Sequence, residues 1–408
     1  MGMIVGRDFN DWDDVRNLFP LATDRIDMSA MLITSHPKPV ADAIARYRAA
    51  MDERPVEFLE ENDERLTQAV RAAAGEYLGV EPSHIALTDS TTVGIGLVYA
   101  GFPFNEGDEV ITTKEDYVVT HESLRLAAVR TGAIVRTISL YEEAATASSD
   151  EIVWTIMKSI TPATKLIALT WVHSSTGMKM PIQQIAAALK DVNAKRDQAD
   201  QILLGLDAVH GFGIENVSFA ALGCDFFMAG CHKWLFGPRG TGVIAVSDRG
   251  LAKLRPVMHS FDDSEVVSAW ITGKEKPEGR NNGLRLTPGG FKPFEHRWAM
   301  TEAFALHARM GRDSVASRTH QLASMLKETL TGTSGITVAT PLATELSSGI
   351  VSFKVKGDAP RLTASRLRER GIIASVAPYA TPWVRLTPSV RNSDDEIEQV
   401  RSAIAEIV

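Results

Sequence analysis

Short apolar segments alternate with amphipathic helical patterns along most of the chain, and this alternation limits the folds it can adopt. The segments include "HIALTDS", "KLIALTWVH", "ILLGLDAV", "CDFFMAG" and "GVIAV". They are apolar on nearly consecutive residues, so both faces of each strand are expected to be covered. Strands separated by helices need crossover connections, which produce a mainly parallel sheet. The sequence therefore predicts an α/β fold with helices on both faces of a central sheet.

The same pattern divides the chain into three regions. The alternation of strands and helices holds over residues 36–285, which we expect to form a large central domain. Residues 286–408 begin with a long helical pattern and continue with short strands and helices, which predicts a smaller α+β C-terminal domain. Residues 1–35 show neither pattern, and we expect them to pack on the small domain or on a partner subunit.

Composition narrows the function classes. The chain has 408 residues and a net charge of −8 without a basic cluster, so nucleic acid and anionic membranes are not expected partners. No apolar run is long enough to span a bilayer, and no secretory signal is visible, which favours a cytoplasmic location. An exported protein whose signal had been removed would show the same sequence features. The two cysteines, Cys224 and Cys231, predict neither a disulfide framework nor a metal site.

Polar residues follow several of the predicted strands at the points where the strands end. In an open α/β sheet, ligands bind at the carboxyl ends of the strands. The sequence therefore predicts a binding site built from the polar residues at these ends. They are Ser90–Thr92, Asp116–Tyr117, His173–Thr176, Asp207–His210 and His232–Lys233.

One cofactor, pyridoxal 5′-phosphate (PLP), accounts for the residue types at these strand ends. Its aldehyde condenses with a lysine amine such as Lys233, and its pyridine nitrogen stays protonated beside a carboxylate such as Asp207. Hydroxyls at a helix start, Thr91 and Thr92, suit its phosphate, and the ring of Tyr117 suits its flat face. Each residue alone has an ordinary explanation, such as a helix cap or a surface lysine. A lysine-dependent aldolase would need neither the aspartate nor the threonines.

Four sequence stretches carry a resemblance to a known family. "DAVH", "GCHKWLFGPRGTG", "LTPGG" and "RLTPSVRNSDDEIEQV" resemble the class V aminotransferase family of PLP fold type I. That family includes cysteine desulfurases, isopenicillin N epimerase and ergothioneine-pathway C–S lyases. The similarity runs from about residue 30 to residue 405, and "TPGGFKPFEHRW" is similar to the epimerase-like branch. It implies the PLP fold type I and a homodimer whose sites are shared between subunits.

The resemblance also assigns roles to the residues around the ring. Lys233 matches the lysine that binds PLP covalently, and His232 matches a histidine that contacts the phosphate. Asp207 matches the partner of the pyridine nitrogen, and His210 matches a residue that reaches the ring hydroxyl. Tyr117 stands where desulfurases carry a stacking histidine. The resemblance thus implies Lys233, Asp207 and His210 as the catalytic set.

Five further residues receive roles in the same way. Thr91 and Thr92 match the phosphate loop, and Thr176 stands near the position of an asparagine beside the ring. Thr287 matches a residue that reaches the phosphate from the neighbouring subunit. Arg385 matches the arginine that holds the carboxylate of the amino-acid substrate, for which a planar guanidinium is suited.

The reaction is less constrained than the cofactor. Desulfurases carry a cysteine before the late arginine, whereas the corresponding "IIASVAPYATPWVR" has none, so persulfide transfer is not expected. Gly230 stands where many relatives have a phosphate-binding serine. Lys233 is the natural base for the α proton, and His121 and Tyr379 are candidate second proton donors, His121 also a substrate contact. We expect epimerase or C–S (β) lyase chemistry. Alternatives are an aminotransferase, including one that tailors a peptide natural product, and a PLP-binding sensor domain without turnover.

Overall fold

The computed structural model describes residues 9–408. The strands are β1 (Ile26–Asp27), β2 (Ile85–Thr88), β3 (Glu109–Thr113), β4 (Ile134–Ile138), β5 (Thr164–Thr170), β6 (Leu203–Asp207), β7 (Phe226–Gly230), β8 (Gly242–Val246), β9 (Ile336–Val338), β10 (Val351–Val355), β11 (Ile372–Ile373), β12 (Ser375–Val376) and β13 (Val384–Leu386). The helices are α1 (Trp12–Arg16), α2 (Lys38–Glu53), α3 (Pro55–Leu78), α4 (Thr91–Gly101), α5 (Val118–Thr131), α6 (Ser149–Lys158), α7 (Ile182–Asn193), α8 (Phe219–Leu222), α9 (Asp248–Lys253), α10 (Ser264–Ile271), α11 (Gly283–Leu286), α12 (Phe294–Trp298), α13 (Met300–Met310), α14 (Arg312–Thr331), α15 (Pro360–Glu369) and α16 (Asp394–Ile407).

The central sheet is mainly parallel, as predicted. Its seven strands lie in the order β2-β8-β7-β6-β5-β3-β4. β8 is antiparallel to both of its neighbours, β2 and β7, and the other pairs are parallel. The carboxyl ends of β2, β3, β5, β6 and β7 therefore meet at one edge of the sheet.

Both faces of this sheet are covered by helices, which explains the near-continuous apolar segments. Along β5, Ile167 and Leu169 belong to one hydrophobic core, whereas Leu166 and Ala168 belong to the core on the opposite face. All four side chains are fully buried. Burial of each large apolar side chain stabilises the fold by about 1.5–3 kcal/mol.

The edge strand β4 was not anticipated from the sequence. Its residues are exposed or only half-buried, and Arg136 lies at its centre, where it pairs with Glu109 at 3.1 Å. An edge strand is covered less completely than its neighbours, so it lacks the apolar run that marked the inner strands.

The C-terminal part of the chain forms a small α+β unit. Its antiparallel sheet has the order β12-β13-β10-β9, and α14, α15 and α16 pack against it. Phe353 and Leu386 of the sheet share a core with Leu322 of α14 and Ile404 of α16. This confirms the smaller α+β component of the predicted fold class.

The regions at either side of the small unit connect it to the large domain. Helices α12 and α13, which lie after residue 285, pack on α2 and α3, and Phe304 joins the large core. At the other end, β1 pairs in parallel with β11, so the segment before residue 36 contacts the small unit. Within residues 9–408, no helix is both long and apolar enough to cross a bilayer.

Candidate active site

A cavity of about 190 Å³ lies at the carboxyl edge of the central sheet. It is bounded by the ends of β5, β6 and β7, by the start of α4 and by the small unit. Most of the predicted site residues line it, so the structure brings them together. They are Thr91, Thr92, Tyr117, Asp207, His210, His232, Lys233 and Arg385.

Lys233 is held by the tight turn that follows β7. The Thr34 hydroxyl donates to the carbonyl oxygens of His232 and Lys233, at 3.1 and 2.9 Å. Phe236 has a φ of 58°, which is a strained conformation for an aromatic residue. Its ring is fixed by stacking on His307 with centroids 5.5 Å apart. The packing of Phe236 therefore offsets the strain of the turn that presents the lysine.

Glycine makes this turn possible by removing side chains where backbones touch. A Cβ on Gly213 would lie 2.5 Å from both Leu235 N and the carbonyl carbon of Trp234, and Gly213 has a φ of 90°. A Cβ on Gly237 would lie 2.8 Å from that of Cys231. The lysine turn is therefore packed directly on neighbouring main chain, which limits its freedom to move.

His210 joins the lysine to the core. The Trp234 indole N–H donates to His210 Nδ1 at 3.3 Å, so this nitrogen carries no proton. His210 Nε2 lies 3.4 Å from Lys233 Nζ. Burial holds the pKa of His210 well below its usual range, and the Lys233 and Arg385 charges act in the same direction. His210 is therefore neutral, and its Nε2–H can donate to Lys233 Nζ only when that amine is unprotonated.

Lys233 and Asp207 both shift toward their neutral forms. Burial lowers the Lys233 pKa to about 8, against the attraction of Asp207, and the Arg385 charge also lowers it. Burial raises the pKa of Asp207, which is 4% exposed, to about 6. The Val209 N–H, which donates to Asp207 at 3.2 Å, and Lys233 oppose this rise, and Asp116 adds to it.

The start of α4 provides an anion site. Ser90 caps the helix by accepting from Val93 N, which leaves other first-turn N–H groups free. Gly230 N donates to Thr91 Oγ1 at 2.7 Å, and the hydroxyl proton of Thr91 remains available for a ligand. A Cβ at Gly230 would lie 3.1 Å from Thr91 Oγ1, so the glycine permits this approach. Burial lowers the pKa of nearby His232 to about 4, so it is a neutral donor at pH 7.

Arg385 projects from β13 of the small unit into the same cavity. Its guanidinium donates to Ser174 O at 2.8 Å, Ser375 Oγ at 3.1 Å and Val376 O at 3.1 Å. It is 3% exposed, and none of the carboxylates in residues 9–408 forms an ion pair with it. Burial lowers the Arg385 pKa to about 10, which still leaves it charged at pH 7. A buried cation that is held only by neutral groups is suited to a carboxylate ligand.

Four predicted residues lie outside this cavity. Thr176, His121 and Tyr379 line a neighbouring cavity, where His121 Nε2 lies 2.7 Å from Thr113 O. Thr287 is fully buried, and its hydroxyl donates to Gly283 O at 2.8 Å and accepts from Leu87 N at 3.1 Å. The contact of Thr287 with a neighbouring subunit therefore stays a prediction.

Some lining residues were not assigned from the sequence. Ser174, rather than Thr176, faces the cavity, and its hydroxyl is 2.8 Å from Tyr379 Oη. Met31 and Leu32 of the N-terminal segment close another side. The "HSSTG" stretch marked Ser174 as part of a strand end. Nothing in the sequence around Met31 points to a ligand.

The residues of the cavity fit PLP. A protonated pyridine nitrogen would supply the cation that the buried Asp207 carboxylate lacks, and the start of α4 has free donors for a phosphate. Lys233 has a depressed pKa, as an amine that condenses with an aldehyde requires. In the described chain, these three groups line one enclosed space.

Known proteins are similar in sequence to this chain over most of its length. The chain is 23% identical over 398 residues to isopenicillin N epimerase of Streptomyces clavuligerus, covering 97% of this chain and 98% of that protein. It is 25% identical over 408 residues to isopenicillin N epimerase of Amycolatopsis lactamdurans, with the same coverages. It is also 25% identical over 406 residues to a probable cysteine desulfurase of Halalkalibacterium halodurans, covering 93% of this chain and 92% of that one.

Solved structures share the fold. The cystine C–S lyase C-DES, in complex with its product cysteine persulfide, has a TM-score of 0.84 at 20% identity over 95% of this chain and 99% of that chain. Apo cysteine desulfurase from Thermococcus onnurineus has a TM-score of 0.83 at 19% identity over 100% and 99%. A family model described as aminotransferase class-V matches residues 30–386. The chain therefore belongs to the class V aminotransferase family, as its sequence motifs indicated.

Proposed function

We propose that this PLP-dependent enzyme acts at the α or β carbon of an amino acid or amino-acid derivative, as an epimerase or a C–S (β) lyase. The observation that carries the proposal is the meeting of Lys233, Asp207 and Arg385 in one cavity. The amine, the buried acid and the carboxylate-binding cation are the three groups that α-carbon chemistry on an amino acid requires.

Asp207, Arg385 and Lys233 have separate roles in the proposed reaction. When bound, PLP withdraws electrons from the α carbon of an amino acid joined to it. Asp207 keeps a proton on the pyridine nitrogen, and Arg385 fixes the substrate carboxylate and with it the direction of the α C–H bond. Lys233, whose pKa burial lowers to about 8, can take the α proton in its neutral form.

The cysteines argue against a desulfurase that carries a persulfide. Cys224 and Cys231 are the two cysteines of the chain, both are at most 3% exposed, and neither lines the cavity. Burial raises the pKa of Cys231 to about 12 and raises that of Cys224 further, so neither thiol is a thiolate at pH 7. A nucleophilic acceptor thiol is therefore missing, whereas a lyase or an epimerase needs none.

A second proton-transfer group would favour epimerisation over C–S lyase chemistry. Tyr379 and Ser174 form a hydroxyl pair at 2.8 Å beside Arg385, and burial raises the Tyr379 pKa well above its usual value. A protonated tyrosine linked to a cavity hydroxyl can donate to the α carbon, as epimerisation requires. His121, with its Nε2 bonded to a carbonyl, is less suited to this role.

We also propose that the protein is a homodimer. Several large apolar side chains of residues 257–291 are exposed in the single chain, among them Trp270 at 82% and Phe291 at 83%. Such a patch is typical of a subunit interface. Light scattering should give twice the monomer mass of 44.4 kDa, and a monomer at micromolar concentration would refute both the dimer and the predicted sharing of sites between subunits.

A product screen tests the proposed reaction. The purified enzyme, loaded with PLP, is incubated in D₂O with a panel of amino acids and S-substituted cysteines. Exchange of the α proton with inversion and without pyruvate supports an epimerase, and pyruvate with a released thiol supports a lyase. A stoichiometric keto acid with an aminated cofactor would show an aminotransferase instead. Absence of α-proton exchange with every substrate would contradict the proposal.

A further inference from the structure

A second cavity of about 560 Å³ adjoins the first. Tyr117 and Pro378 line both cavities, so the two spaces meet at these residues. The second cavity is formed by residues 114–118 and 121, by residues 175–176, and by residues 378–381 and 383 of the small unit. It is larger than the first and lies on the side from which the loop before Arg385 approaches.

Three aromatic residues and three residues with aliphatic hydroxyls are among the groups that line the second cavity. The rings of Tyr117 and Tyr379 lie 5.9 Å apart, and Trp383 forms a further aromatic wall. One face of Trp383 is already covered by Lys354 Nζ, 4.2 Å from the ring centroid. The aromatic surface that remains is suited to an apolar or aromatic group.

The charged groups that line this cavity are one lysine, Lys114, and two carboxylates, Glu115 and Asp116. The Asp116 carboxylate is occupied, because it accepts from Thr112 Oγ1 at 2.8 Å, Thr113 N at 2.8 Å and Thr170 N at 2.7 Å. Glu115 Oε2 is buried without a hydrogen-bond partner among residues 9–408. The second cavity therefore disfavours a negatively charged side chain.

The first cavity holds the groups that would fix the main-chain atoms of the substrate. Arg385 would fix the substrate carboxylate, and Lys233 would mark the position of the α carbon. Because Tyr117 and Pro378 line both cavities, a side chain on that carbon can extend past them into the second cavity.

We propose that the second cavity binds the substrate's side chain, and that the substrates are α-amino acids with a bulky, partly apolar side chain that carries no negative charge. This inference rests on the proposed function. It predicts that S-benzylcysteine is a better substrate than alanine or S-carboxymethylcysteine. Tyr117, Tyr379 and Trp383 are the residues that determine this specificity.

Binding and exchange together test this inference. Binding to the PLP-loaded enzyme is measured by calorimetry with α-methyl analogues, which have no α proton and cannot react. Wild-type enzyme should bind α-methyl-S-benzylcysteine roughly tenfold or more tightly than 2-aminoisobutyrate, since a well-filled apolar pocket discriminates by that factor. Proton exchange in D₂O should show the same order in kcat/KM.

Two variants fill the second cavity and one serves as a control. Thr381→Trp and Ala380→Trp add bulk at its mouth. Each should lower the preference for S-benzylcysteine over alanine, measured as the ratio of their affinities and of their kcat/KM values, by roughly tenfold. Trp383→Ala should lower the same ratio by removing an aromatic wall. Thr146→Trp introduces the same side chain at an exposed position far along the chain from these walls and should retain the wild-type ratio.

The outcomes separate the inference from the proposed function. Exchange of alanine without a preference for bulky side chains would overturn the inference and leave the proposed function intact. An unchanged ratio in all three cavity variants would also overturn it, provided that they fold with the wild-type circular dichroism spectrum. Failure of wild-type enzyme to exchange any amino acid would refute the proposed function itself.

Discussion

Burial shifts the pKa values of Lys233 and Asp207 in opposite directions. It favours the neutral amine and the neutral acid, so their pKa values move to about 8 and about 6. Each group destabilises the fold when it is charged. PLP would condense with the neutral amine of Lys233, whereas its pyridinium would pair with the charged carboxylate of Asp207. The cost of the buried acid is therefore measurable in the apoprotein.

Asp207→Asn should change the pH dependence of apoprotein stability. The raised folded pKa means that Asp207 contributes most stability below its unfolded pKa of about 4, and that this contribution is lost as pH rises through about 6. The wild type should therefore lose about 1 kcal/mol relative to Asp207→Asn between pH 5 and pH 7.5. Differential scanning calorimetry of both apoproteins measures this as a shift of about 1–2 °C in the gap between their melting temperatures. A difference in melting temperature that does not change with pH would show that burial does not raise the pKa of Asp207.

At the residue scale, the sequence predicted side-chain types better than side-chain positions. Asp207 and Lys233 could be placed because they end or follow recognisable strands, and Arg385 is assigned by the family resemblance. In the loop after β5, Ser174 lines the first cavity and the predicted Thr176 lines the second, and a loop has no periodicity from which this difference could be read. The burial of Thr287 depends on contacts with β2 that are distant in sequence.

The turn that carries Lys233 is the element on which the site depends. It ends a buried strand, contains a strained Phe236 and packs on the main chain at Gly213. The structure shows that Gly230 permits an approach to Thr91 and that Gly237 permits packing of the turn on itself.

Gly213→Ala should displace this turn. The added Cβ would meet Leu235 N and Trp234 C at 2.5 Å, so we expect a loss of about 2–4 kcal/mol in stability and weaker PLP binding. Gly240→Ala is the matched control. Gly240 has a φ of 73° but no atom within 4 Å of the added Cβ, so its cost should be limited to about 1 kcal/mol. Urea unfolding and PLP titration measure both effects, and equal losses in the two variants would refute the packing argument.

The inner strands of the sheet could be predicted because they are buried on both faces. The edge strand β4 could not, since its exposure pattern resembles that of a loop. The boundary after residue 285 followed a change of sequence pattern, yet α12 and α13 continue the packing of the large domain. Helix packing across a long sequence separation leaves no mark in a local pattern.

At the scale of the whole molecule, Glu215 connects the large domain to the small unit. It pairs with Lys179 at 3.0 Å and His320 at 2.8 Å, and it accepts from Ser348 Oγ at 2.6 Å. Because Arg385 belongs to the small unit and Lys233 to the large domain, this contact helps to hold the two halves of the site at a fixed separation.

Glu215→Ala should loosen this connection. Removing one partner of a buried ion pair leaves Lys179 without a counter-charge and should cost about 3 kcal/mol. The KM for the amino acid should rise, because Arg385 is held less firmly, while PLP affinity changes little. Glu406→Ala removes an exposed pair with Arg370 and should cost below about 1 kcal/mol. A Glu215→Ala enzyme with wild-type melting temperature and KM would contradict this role.

The central claim is that Lys233 is the amine that binds the cofactor. Reduction of the PLP-loaded enzyme with borohydride, followed by protease digestion and mass spectrometry, tests it most directly. We predict one phosphopyridoxyl group, fixed to the peptide that contains Lys233, and no such group in Lys233→Ala. A label on another lysine, or a labelled Lys233→Ala protein, would contradict the account.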